Sequence, residues 1–76
     1  MSREEALYSA RKLLRGFAAA PDPRQHAQRL YGDLSRAVGW SAREEAEISA
    51  LGAWLQTRPA HVALKPRCAA VLAQLG

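Results

Sequence analysis

A chain of 76 residues, 49% hydrophobic and 24% charged, has the balance of one small globular domain and leaves no room for a second. The single cysteine, Cys68, excludes an intramolecular disulfide and fits a reducing, cytoplasmic setting. No apolar stretch approaches the roughly 20 residues of a membrane span, and charges at Arg3, Glu4 and Glu5 do not read as an export signal, so a soluble cytoplasmic chain is expected.

Ser2 with Glu5 three residues on forms a capping box, the serine oxygen taking an orphan amide while the glutamate reaches back, and it starts the first helix. Leu7, Ala10, Leu13, Leu14 and Phe17 then recur at helical spacing until "APDP" stops the run. Asp22 is the next N-cap, with Pro23 in the first helical position, where its missing amide costs nothing. The second helix turns Ala27, Leu30, Tyr31, Leu34 and Val38 inward and Gln25, Arg29, Gly32, Asp33 and Arg36 outward. Gly39 ends it as a left-handed cap, and Trp40 is placed to fold back onto the preceding turn.

Ser41 with Glu44 is a second serine capping box. It opens a third helix, 42–57, with Ile48, Leu51, Gly52 and Leu55 on one face. Ala42, Ala46, Ala50 and Ala53 form another, small enough for a neighbour to approach closely, which makes this the expected central helix. The two prolines of "TRPAHVALKP" leave room for a single turn before Pro66 opens a short last helix carrying Cys68, Val71, Leu72 and Leu75 inward. The fold class is therefore all-α: one domain over residues 1–76, a compact bundle of three main helices plus a short C-terminal helix.

The formal charge of +4 is unevenly spread. Arg3, Arg11, Lys12 and Arg15 outweigh Glu4 and Glu5 in the first helix, and Arg58, Lys65 and Arg67 stand in the tail with no acid. The third helix is the one acidic segment, with Arg43 against Glu44, Glu45 and Glu47. The stretch "LSRAVGWSAREEAE" has the outline of a helix-turn-helix, but a reading helix needs donors at its N-terminal end, and carboxylates there are repelled by phosphate. Glu45 also occupies the position where that motif buries an apolar residue. The turn is better read as folding punctuation, the glutamates complementing the helix dipole.

Catalysis finds no support. His26, His61 and Cys68 are too few and too scattered for a zinc shell, and Cys68 falls on an apolar face rather than in the open electropositive setting of a reactive thiolate. The acids have capping or solvent roles, and there is no glycine-rich phosphate loop. No cofactor, metal or small-molecule substrate is expected, and the only helix suited to a membrane surface needs its apolar face for the core.

What remains is the polar side of the first helix, where Tyr8, Arg11, Lys12 and Arg15 share an exposed strip, with Arg3, Lys65 and Arg67 as outliers. The expectation is a non-catalytic partner-binding protein, an inhibitor or adaptor that acts by covering an acidic patch on a protein partner. Phage-encoded inhibitors of host systems such as anti-CRISPR proteins share this tiny format, an analogy of class only. The alternative is a small basic nucleic-acid-binding or transcription-regulating protein that uses the same cations against phosphate. Trp40 and Trp54 belong to the core unless exposed beside arginines, where they would mark a binding hot spot.

Overall fold

The computed structural model describes residues 1–75, and within them four α-helices and one 3₁₀ turn account for the regular structure. Helix α1 spans Arg3–Arg15, α2 Pro23–Arg36, α3 Ala42–Gln56 and α4 His61–Leu75. Both serine capping boxes are formed: Ser2 Oγ accepts from the Glu5 amide at 3.2 Å, and Ser41 Oγ from the Glu44 amide at 3.1 Å. Each glutamate returns the bond to its serine's amide. Asp22 caps α2 by accepting from the Gln25 amide.

Local signals mislead at three boundaries. Phe17 does reach the core, but from the 3₁₀ turn Phe17–Ala19 that follows Gly16, not from α1. Helix α2 stops at Arg36, so Val38 leaves the apolar stripe and stands 71% exposed, its amide donating to the Met1 carbonyl at 3.1 Å. The C-cap is accordingly Ala37, in extended conformation, and not Gly39; Gly39 takes its left-handed conformation (φ +96°) in the connection beyond, where Trp40 folds back so that its indole N–H donates to the Leu34 carbonyl at 2.8 Å.

The last helix begins at His61 and runs through Pro66, which makes it as long as α3. Leu64 explains this. It is fully buried and continues the stripe of Cys68, Val71, Leu72 and Leu75 back toward the chain turn, so burying it outweighs the amide that proline withholds from the Val62 carbonyl. Val62 is 87% exposed, and water can take that carbonyl.

Helix α3 is not the centre of the bundle. Helices α2 and α4 each pack on all three others, whereas α1 and α3 both lie against that pair without packing along one another. Ala42, Ala46, Ala50 and Ala53 face solvent. Alanine is the strongest helix former and costs little to expose, so the row supports α3 without recruiting a neighbour. The core itself joins all four helices through Leu7, Leu30, Leu34, Leu51, Leu64 and Leu75. No helix among the described residues is long and apolar enough to cross a membrane.

Candidate functional site

Helix α1 turns Ala6, Leu7 and Ala10 into the core, which leaves the opposite arc to solvent. That arc carries Tyr8, Arg11, Lys12 and Arg15, all exposed, with Tyr8 at 69%. Lys12 and Arg15 also lie in the last turn of α1, where cations suit the negative end of the helix dipole. Neither that role nor solvation requires the tyrosine, a large side chain whose burial on a partner would be favourable.

The cations of the chain fall into two groups. Arg3 is fully engaged: its guanidinium lies 2.7 Å from the Glu44 carboxylate and 2.9 Å from the Leu75 carbonyl, and sits over the Trp40 ring at 5.5 Å. This corner ties the start of α1 to the start of α3 and the end of α4. The hydrogen bond to Glu44 raises the Arg3 pKa, and the same bond, with the Ser41 amide, holds the Glu44 carboxyl down to about 2. Arg67 lies over the Trp54 ring at 5.3 Å. Both tryptophans are half-buried against the core, and each carries an arginine of its own chain. Arg11, Lys12 and Arg15, by contrast, make no ion pair or side-chain hydrogen bond among the described residues.

Between α1 and α2 the surface opens into a groove of about 460 Å³ lined by Ser9, Leu13, Gln25, Gln28, Arg29, Gly32, Asp33 and Arg36. The sequence pattern sends Asp33 to solvent. Instead it is 9% exposed at the groove floor, with one carboxylate oxygen accepting from the Ser9 hydroxyl and the other from Arg36 at 2.7 Å. A buried carboxylate is tolerated when donors satisfy it, and both oxygens are satisfied here. Ser9 sits on the edge of α1 facing α2, a position that helical periodicity leaves ambiguous. Gly32, a residue that weakens a helix interior, is the one sequence sign that this stretch of α2 is unusual.

Elsewhere the reactive residue types have structural surroundings. The His26 ring packs edge-on against Phe17 at 4.7 Å, with its Nε2 bonded to the Leu13 carbonyl, and so fastens the 3₁₀ turn to α2. Cys68 is fully buried, and burial pushes its thiol up to about 11, so it is neutral at ordinary pH and withheld from solvent. His61 is exposed at the start of α4. No cluster of three or more His, Cys, Asp or Glu side chains suited to a metal occurs among the described residues. At the N-terminal end of α3, Glu44 is held by Arg3, and Arg43 donates to Gln74 at 3.1 Å, leaving Glu45 exposed. No protein-family model matches the sequence, and no curated protein or solved structure matches it either.

Proposed function

We propose that this protein binds a protein partner without catalysis, as an inhibitor or adaptor, and that Tyr8, Arg11, Lys12 and Arg15 on the outward face of α1 form the contact with an acidic patch. The observation that carries this reading is the division of the cations. Arg3 is held by Glu44 and the Leu75 carbonyl, while the α1 strip offers three cations and an exposed tyrosine that make no ion pair or side-chain hydrogen bond among the described residues. Tyrosine beside arginine is the composition of an interface anchor, and charge complementarity would steer the encounter. The tiny format suits action by covering a surface, as in small phage-encoded inhibitors of host systems.

The test is capture from a lysate of the native host, comparing the wild-type bait with the double variant Arg11→Glu, Arg15→Glu. The variant should keep its helical content by circular dichroism and lose the captured partner. Glu45→Lys is the matching control, because that exposed side chain makes no ion pair among the described residues and lies on α3. Equal capture by the α1 reversal removes the assignment. Affinity of the wild-type protein for random duplex, falling steeply and log-linearly with salt, would replace it with the nucleic-acid reading.

A further inference from the structure

Resting on that reading, we propose that the groove between α1 and α2 is a second, recessed part of the partner site, in which Arg29 and Arg36 receive carboxylates from an acidic segment of the partner protein. The groove is built for an anion in spite of the acid at its floor. Asp33 spends both oxygens inside the chain, on Ser9 and Arg36, so little of its charge faces an incoming carboxylate. The same bond anchors Arg36 from position i to i+3, while a guanidinium has five N–H donors and this contact uses one. Arg36 is thereby oriented before any partner arrives, which lowers the entropic cost of binding.

Gly32 lies under this guanidinium. A Cβ at that position would sit 3.2 Å from Arg36 Nη1, so a side chain longer than alanine there would press on the guanidinium and enter the groove that Gly32 lines. Arg29 lines the same groove two turns before Arg36 and makes no ion pair among the described residues. Seven residues of helix separate the two Cα atoms by about 10 Å along the axis, and Arg36 lies back over Gly32 toward Arg29, so both guanidiniums are offered to one acidic segment. A duplex is a poorer occupant. Its phosphates line a convex backbone that cannot enter a slot between two packed helices, whereas single side chains can.

The probe is a fluorescein-labelled oligoglutamate peptide, titrated at low ionic strength and followed by anisotropy, with ¹⁵N spectra reporting the Gly32 amide. The wild-type protein should bind it and shift Gly32. Gly32→Leu fills the groove without changing net charge and raises helix propensity, so the variant should fold, as its melt will show, yet bind about tenfold or more weakly. Arg29→Gln should lose binding to a similar degree. Unchanged affinity in both variants, or no binding by the wild type, overturns the proposal. So does a random duplex that displaces the peptide and loses affinity in the same two variants. Loss of binding only in Arg11→Glu, Arg15→Glu would leave the α1 strip standing and refute the groove, whereas loss only in the groove variants would keep the groove and refute the strip.

Discussion

Two glycines stand inside helices of this protein, and their surroundings are opposite. At Gly52 of α3 there is no room to spare: an added Cβ would lie 2.6 Å from Tyr31 Cζ and 2.7 Å from its hydroxyl, so the ring of α2 rests on bare backbone. At Gly32 of α2 the nearest atom belongs to the tip of the Arg36 side chain, and the α1–α2 seam beside it stays open as a groove. One glycine permits close packing and the other lines an open groove. A glycine in a helix therefore does not by itself show that volume is refused; only the neighbour shows whether an added side chain meets a packed ring or an arginine tip that can give way.

The sharpest way to break this contrast is Leu51→Ala, at the residue that immediately precedes Gly52 on α3. Leu51 is fully buried, and its truncation should cost about 2–5 kcal/mol in denaturant titration, enough to unfold a domain of this size. A near-native result would show that the α3 side is loosely packed. Gly52→Ala should come next, at about 1–3 kcal/mol, because the overpacking of Tyr31 exceeds what alanine returns in helix propensity. A melting temperature at or above wild type would mean that Tyr31 swings aside and that the two seams are alike.

A smaller effect is expected from acid. Arg3 and the Ser41 amide hold the Glu44 carboxyl at about 2 against an ordinary 4.5. A carboxyl depressed on folding contributes stability that is complete above the ordinary value and drains away as pH falls toward 2. The melting temperature should decline across that window, and more gently in Arg3→Ala, where the principal cause of the shift is gone. Parallel declines in the two proteins would show that the Arg3–Glu44 corner does not hold α1 to α3. The smallest change should be Gly32→Ala, a gain within about 1 kcal/mol, since the Arg36 tip can move by a few tenths of an ångström. A loss as large as that of Gly52→Ala would show that the α1–α2 seam is closed after all.

Much of the architecture was legible because its signals act over three or four residues. The Ser2, Asp22 and Ser41 caps satisfy amides within their own first turns, so nothing distant can override them. The return of Trp40 onto the turn before Gly39 is local in the same sense. The α1 strip was legible as a place, since its exposure follows from the burial of Leu7 and Ala10 on the other side of one helix. Pro66 lies inside α4 and does not open it. It forbids one hydrogen bond, not a helix, when a leucine two residues earlier has a core to enter.

Helix type, the N-caps at Ser2, Asp22 and Ser41, the all-α class and the uneven spread of charge were thus determined by the sequence alone, because each depends on neighbours along the chain. Tertiary structure decided which helices are central, that the alanine row of α3 faces water, and that Asp33 goes under α1 to meet Ser9. It also decided which arginines are consumed and which are left over. Arg3 and Arg11 look alike in sequence, yet Arg3 finds Glu44 across 41 positions while Arg11 finds no carboxylate among the described residues. Pairing of this kind depends on where helices cross, and crossing is set by the fit of whole apolar faces, a property that no short window of sequence contains.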